Sequence, residues 1–264
     1  MKTLVFVPMY NCELQIPRVL RTFADPDISK WIDGIVCIDN RSNDATAAQA
    51  ENALEALPVA TRILLRNDDN YGLGGSHKVA IELAQREGYG HLVVLHGDDQ
   101  GSITDIIPHL EDNVHRKVDF LMGARFMSGS RLQGYSFLRI AANRAFNLIF
   151  SVVALKRLCD LGSGLNLFRV SAFDDGFHLR FADDLTFNYY LILAVAARNH
   201  TLRFFPLTWR EEDQVSNAKL GRMGFQMLGL LWRRATNKRG FFEGEHRKTP
   251  RAAYPSTEIA RWTS

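Results

Sequence analysis

Cysteine is scarce in this chain of 264 residues: Cys12, Cys37 and Cys159 are the only three, and no two stand in a CxxC spacing. That excludes a disulfide framework or a zinc knuckle and leads us to expect a reducing, cytoplasmic setting. Charge of one sign is also lacking, since 32 Lys and Arg against 29 Asp and Glu leave a formal charge of only +3. A surface built wholly for nucleic acid is therefore not expected. No uninterrupted apolar stretch reaches the roughly 18 residues of a membrane span. Arg139, Asn143, Arg144, Asn147 and Lys156 punctuate the most apolar region, so no spanning helix is expected. The opening MKTLVFVPMYN has a short apolar run that stops at Pro8 without a small-residue cleavage site, which reads as a buried first strand rather than a signal peptide.

What is present is an ordinary globular composition, 46% hydrophobic and 23% charged, in a length suited to one large or two small domains. The N-terminal half alternates short strand-like runs with helix-like segments. Thr3 to Val7, Gly34 to Asp39, Thr61 to Leu65, His91 to His96 and Val118 to Gly123 read as strands. Asn43 or Asp44 can cap a helix through Leu57, and Ser76 can cap one running through Glu87 to Gly88. Runs such as LVFV, IVCI and LVVL are apolar on both faces, which calls for a mostly parallel sheet with helices on both sides, an α/β class. From Ser128 to Pro206 the pattern reads as mainly helical, and Tyr254 to Ser264 as an irregular, mobile tail. Residues 1–220 form the expected main domain; 221–264 add an amphipathic helix and a basic tail, within that domain or peripheral to it.

In a parallel α/β sheet, ligands bind beyond the C-terminal strand ends. The polar clusters fall there, above all His96-Gly97-Asp98-Asp99-Gln100 after LeuValValLeu. Carboxylates so placed can hold a hard divalent cation and, through it, a diphosphate; Asp and Gly also make ordinary solvated turns. Gly72, Gly74 and Gly75 would let the backbone approach a phosphate or sugar, but they do not form the dinucleotide G-x-G-x-x-G.

Several segments in order resemble the inverting family 2 glycosyltransferases of GT-A fold, particularly the dolichyl or polyprenyl phosphate sugar transferase branch. Pro8-Met9-Tyr10-Asn11 is similar to that family's P-x-Y-N, Asp39 to Thr46 to its DDGSxDxT, Asn70 to Gly75 to its N-x-G-x-G, and Val118 to Arg125 to its D-h-V-h-G-S-R strand. Asp160 to Arg169 resembles D-x-x-S-G-F-R-x-h-R, and Trp209-Arg210 through Lys219 resembles the branch's R...SK segment. The resemblance implies a Rossmann-like GT-A domain that moves a sugar from a nucleotide-diphosphate donor with inversion. The acceptor would be polyprenyl phosphate or a lipid-linked saccharide, in cell-surface polysaccharide or glycoconjugate biosynthesis. Two alternatives stay open: a soluble transferase acting on a hydroxyl of a glycan, protein or modified DNA, and a nucleotide-sugar binding module without turnover.

By that resemblance Pro8, Tyr10 and Asp39 would hold the base and ribose, with Asn11, Glu13, Gly74, Gly97 and Gln100 also in the nucleotide-sugar site. Arg125, Arg210 and Lys219 would face the diphosphate or an acceptor phosphate. Asp98 would be the second Asp of the D-x-D metal motif, with His96 in place of the first. A neutral imidazole suits Mn2+ better than Mg2+, which prefers oxygen, and Asp99 is a substitute ligand if the turn directs it inward. Asn40 replaces the second Asp of DDGS, and Cys12 stands where the branch often has Glu. Asp183 and Asp184 are the candidate general bases beside Arg125, although a helix N-cap explains the pair equally. An acceptor phosphate is already ionised and needs no strong base. Phe137 to Lys156 and Met223 to Lys238 could touch a membrane surface, the second combining Phe225, Met227, Leu228, Leu230, Leu231 and Trp232 with Arg222, Arg233, Arg234 and Lys238, although such helices also serve as amphipathic core cover.

Overall fold

The computed structural model describes residues 1–211 and 220–263, with the side chains of 220–223 left aside. In chain order the elements are β1 (Thr3–Met9), α1 (Ile16–Arg21), α2 (Pro26–Ser29), β2 (Gly34–Asp39), α3 (Thr46–Glu55), β3 (Thr61–Asn67), α4 (Gly72–Arg86), β4 (His91–Leu95), α5 (Ile107–Glu111), β5 (Phe120–Ala124), β6 (Arg131–Gln133), α6 (Phe137–Ala154), β7 (Leu165–Arg169), α7 (Phe187–Ala197), β8 (Leu202–Pro206), β9 (Thr208–Arg210), α8 (Leu220–Thr236), α9 (Lys238–Glu243) and β10 (Ser256–Thr263). One eight-stranded sheet has the order β10-β3-β2-β1-β4-β7-β5-β8, and β6 pairs with β9 in a small parallel ribbon. Within the large sheet β7 runs antiparallel to β4 and β5, and β10 antiparallel to β3.

The runs LVFV, IVCI and LVVL become β1, β2 and β4, buried on both faces. Their alternate side chains feed two cores. Leu4, Phe6, Val36, Leu92 and Val94 pack beneath α4, α7 and α8, whereas Val5, Val7, Ile35, Cys37 and Val93 meet α1 and α3. This is the two-sided cover that apolar parallel strands require.

Three sequence expectations need correction. The region read as mainly helical contains β7 at the centre of the sheet and β8 at its edge; each is only five residues long, too short for periodicity to separate it from a helical turn. Ser76 does not cap α4 but lies inside it, its hydroxyl bonded to the Gly72 carbonyl. Tyr254 to Thr263 is ordered: Tyr254 is buried, and β10 closes the β3 edge along Ser256 to Thr263. The residues after 220 share the main core, with Met227, Leu230, Leu231, Phe241 and Tyr254 all buried in it.

α6 also departs from expectation, being long and apolar enough to cross a bilayer by length and composition, with only 11% of it buried. Its polar residues lie mostly on one side, Arg144 being the exposed exception. Arg139, Asn143 and Asn147, four residues apart, turn inward to a cavity, while Phe137, Leu138, Leu148 and Val152 stay exposed.

Candidate active site

The C-terminal ends of β1, β2, β4 and β5 open into a cleft of about 870 Å³, roofed by α6 and the start of α8. Pro8, Tyr10, Asn11, His96, Gly97, Asp98, Gln100 and Arg125 all line it, so the structure brings together eight residues scattered over more than a hundred positions of sequence. Tyr10 is half exposed at the mouth, a flat surface on which a base can stack. The Gly97 amide donates to the Pro8 carbonyl at 3.1 Å, tying the β4 turn to the end of β1.

Burial pushes the Asp98 carboxyl up to about 6, although the Gln100 amide donates to it. His96 is driven down to about 4, first by burial and then by the nearby Arg125 guanidinium, and so stays neutral. Its Nδ1 lies 3.9 Å from Asp98 Oδ2, and its buried Nε2 has no hydrogen-bond partner. Two donors each bound at roughly 2.0–2.2 Å to one ion can stand up to about 4.4 Å apart. The imidazole and carboxylate thus fit a shared divalent ion as a mixed N/O pair. Among the described residues no group of three or more His, Cys, Asp or Glu comes together as a cation site, so the rest of the shell would be water or the oxygens of a bound diphosphate. Asp99 does not substitute for the missing first Asp: its turn has a left-handed φ of 59° and directs the carboxylate to Arg18 and Arg210 instead.

The remaining expected residues sit elsewhere. Asp39 is buried below the cleft, accepting the Ser42 amide and facing Arg66 at 3.3 Å. Glu13 accepts the Ala45 amide at the start of α3. Arg210 pairs with Asp99 outside the lining. The Gly74 amide donates to the Asp183 carbonyl at 2.7 Å, and a Cβ there would meet the Ala182 carbonyl oxygen at 2.5 Å, so this glycine serves close packing of α4 rather than a phosphate. Asp183 accepts from Lys78 and Tyr254, and Asp184 from Thr186 and Lys248; neither lines the cleft. Lys219 lies outside the described residues.

Arg125 has a partner that sequence reasoning passed over. Asp160, 2% exposed, accepts the Arg125 amide, Nε and Nη2 at 2.8–2.9 Å. The same guanidinium lies 5.0 Å from the Trp209 ring centre. The far wall adds Tyr135, Arg139, Asn147, Asn188 and Glu211, with Arg139 paired to Glu211 and stacked on Tyr135. Asp160 was visible in the DLGSG stretch, and the four-residue spacing of the α6 polar residues was the signal for that wall. The close approach of His96 and Trp209 around Gly164, where a Cβ would stand 2.9–3.0 Å from both rings, had none.

Comparison with known proteins decides the family, because the model of glycosyl transferase family 2 matches residues 4–177. The chain belongs to glycosyl transferase family 2. It is similar to a polyprenol monophosphomannose synthase of Mycolicibacterium smegmatis, 24% identical over 170 residues that cover 64% of this chain and 62% of that one. It is also similar to a dolichyl-phosphate beta-glucosyltransferase of Dictyostelium discoideum, 27% identical over 177 residues, 62% of this chain and 53% of that one. The chain therefore matches between about half and three-fifths of the length of these family 2 relatives. In fold it resembles the glucosyl-3-phosphoglycerate synthase of Mycobacterium tuberculosis in complex with UDP, at TM-score 0.62, 15% identity and coverage of 89% and 80%. The mannosyl-3-phosphoglycerate synthase of Rubrobacter xylanophilus superposes at TM-score 0.61 and 15% identity, with coverage of 97% and 79%. The α/β sheet of this family 2 chain is accordingly the GT-A fold.

Proposed function

We propose that the protein transfers a sugar from a nucleotide-diphosphate donor, with inversion, to polyprenyl phosphate or a lipid-linked saccharide at a membrane surface. The carrying observation is the state of the carboxylates in the cleft. Among the described lining residues these are Asp98, Asp160 and Glu211; Asp160 and Glu211 are bound to arginines, and Asp98 sits beside His96 in the position suited to a cation. A hydroxyl acceptor needs a base within hydrogen-bond reach, whereas an ionised phosphate needs none. Asp184, held by Thr186 and Lys248 with its carboxyl below the ordinary range, serves better as a helix-start anchor than as that base.

In this reading Pro8, Tyr10 and Asn11 hold the nucleoside. His96 and Asp98 would hold a divalent ion, Mn2+ or Mg2+, which when bound would offset the diphosphate charge. Asp160 holds the Arg125 guanidinium rigid against Trp209, where it can steady developing negative charge. α6 would join both partners of the reaction, with Arg139, Asn143 and Asn147 in the cleft and a largely apolar side, which also carries Arg144, outward. Beside it, α8 exposes Phe225, Leu228 and Trp232. A lipid-borne acceptor could then present its phosphate to the cleft while its chain stays in the bilayer.

The test is transfer of radiolabelled sugar from a panel of nucleotide-diphosphate sugars to a short-chain polyprenyl phosphate and, separately, to neutral glycans. The lipid phosphate should be the better acceptor, and Asp184→Asn should retain at least about a tenth of the rate, less than a removed general base would cost. Transfer only to hydroxyl acceptors, with loss in Asp184→Asn, would favour the soluble-acceptor alternative.

A further inference from the structure

Lys78 is a lysine inside α4 that is 1% exposed, and an ammonium so deeply buried is tolerated only when each of its hydrogens has an acceptor. Here each does. Nζ donates to the Phe181 carbonyl at 2.6 Å, to Asp183 Oδ1 at 2.6 Å and to the Tyr254 hydroxyl at 3.1 Å. The Tyr254 hydroxyl in turn donates to Asp183 Oδ1 at 2.7 Å, which fixes the direction of every bond in the cluster. None of these groups lines the cleft, and the proposed chemistry uses none of them.

The cluster is joined to the cleft through the backbone. The Asp183 carbonyl accepts the Gly74 and Gly75 amides in the first turn of α4, the turn whose Gly72, Leu73 and Ser76 form one cleft wall; on the other side Leu185 follows directly. The C-terminal segment touches both loops that flank this turn. Arg251 pairs with Asp69 at 2.6 Å and lies over Tyr71, the Tyr71 hydroxyl donates to the Pro255 carbonyl, and Lys248 pairs with Asp184. Tyr254 itself is buried edge-on against Tyr71, 5.3 Å between ring centres. Leading into β10, which anchors its far end on β3, residues 247–255 form a strap across the outer side of the wall.

We infer that this C-terminal strap is a positioning element for the donor site, with Tyr254 as its pin. Through Lys78 and Asp183 it sets the first turn of α4 and the loop before α7, and so the shape of the wall against which the nucleotide sugar lies. Tyr254 is a positioning residue, acting through Asp183, and the consequence for donor binding rests on the transferase reading above.

Tyr254→Phe is the clean perturbation: it keeps the ring against Tyr71 and removes only the hydroxyl, leaving one Lys78 hydrogen without its acceptor, taking one of two donors from Asp183 Oδ1 and ending the long Arg247 contact at 3.5 Å. Asn237→Ala is the control, deleting a side chain that caps α9 away from the cleft. Both full-length variants would be measured for amide exchange in the first turn of α4, for melting, and for nucleoside-diphosphate affinity with Mn2+. We expect Tyr254→Phe to speed exchange at Gly74 and Gly75 and to weaken nucleotide binding by about five- to tenfold, the scale of one buried hydrogen bond. It should raise the donor KM with little change in kcat, while Asn237→Ala, at a comparable loss of melting temperature, does neither. Unchanged exchange at Gly74 and Gly75, or an equal loss of affinity in Asn237→Ala, would overturn the inference. Should the wild type bind no nucleoside diphosphate at all, the transferase reading fails instead, and exchange at the two glycine amides still decides whether Tyr254 pins the turn.

Discussion

Removing the charge of Asp160 tests whether Arg125 belongs to the framework of the cleft or is free for a phosphate. Asp160→Asn preserves shape but removes the counter-charge of a guanidinium whose side chain is only 17% exposed. The carboxylate accepts three N–H groups from Arg125 and one from Gly162, and the pair of charges holds the Asp160 carboxyl below its ordinary range despite burial. Breaking a buried pair by removing one partner costs about 3–5 kcal/mol, because the other charge is left uncompensated. At about 2–4 °C per kcal/mol for a chain near this size, the melting temperature should fall by roughly 10 °C. Differential scanning calorimetry on Asp160→Asn, Arg125→Met and the double variant is the assay. The double variant should melt above Asp160→Asn alone, since it no longer buries an unpaired charge. If Asp160→Asn melts with the wild type, the guanidinium is solvated in the cleft as a phosphate-facing arginine would be, and the framework reading fails.

Vesicle co-sedimentation with anionic lipid should retain the wild type and lose Trp232→Ala combined with Arg233→Glu and Arg234→Glu, because each basic residue near the surface contributes about 1 kcal/mol and the apolar side chains add several kcal/mol; binding indifferent to these residues and to salt would reject the membrane face. Acid should destabilise the fold before its ordinary carboxylates titrate. Burial lowers His77 and His178 to about 3 and His91 to about 4, so they stay neutral when folded but take up protons near 6.5 when unfolded. Their contribution is complete above pH 6.5 and is lost as pH falls toward 3–4, about 2 kcal/mol each by pH 5, partly offset by Asp98, which gains its proton near 6 in the folded state. Urea midpoints that do not fall between pH 7 and 5 would contradict this.

The half of the chain that reads most plainly is the half in which local pattern and tertiary role agree. β1, β2 and β4 are apolar on both faces and end in polar turns, so both the sheet and the location of the cleft follow from the amino acids. Legibility fails where a residue's partner is distant in sequence. Asp160 and Arg125 are 35 residues apart, Lys78 and Tyr254 are 176 apart, and no local rule pairs them. Gly74 shows the same limit: a glycine at a helix start suits phosphate approach and close packing alike, and only the Ala182 carbonyl against it decides. β7 is antiparallel between parallel neighbours, a placement that its five residues could not announce.

The charge pattern of the cleft bears on how a diphosphate can enter it. Arg125 is bound to Asp160 and Arg139 to Glu211, and just outside the lining Arg210 faces Asp99. Counting only described lining residues, two arginines stand against Asp98, Asp160 and Glu211, a balance of 2 − 3 = −1 with Asp98 ionised. Such a surface repels a nucleoside diphosphate unless a cation enters with it. A divalent ion shared by His96, Asp98 and the diphosphate oxygens would reverse that sign locally and leave the arginine pairs intact. Nucleoside-diphosphate affinity should therefore fall at least about tenfold in excess chelator, one ion contact being worth 1.4 kcal/mol or more at that ratio. Asp98→Ala should abolish sugar transfer in a folded protein, and His96→Asp should bind with Mg2+ as well as with Mn2+. Calorimetric titration with and without each ion measures the two affinities and a transfer assay the Asp98→Ala loss, and full affinity in chelator would show that the arginines alone suffice and that the carboxylate pairs open on binding.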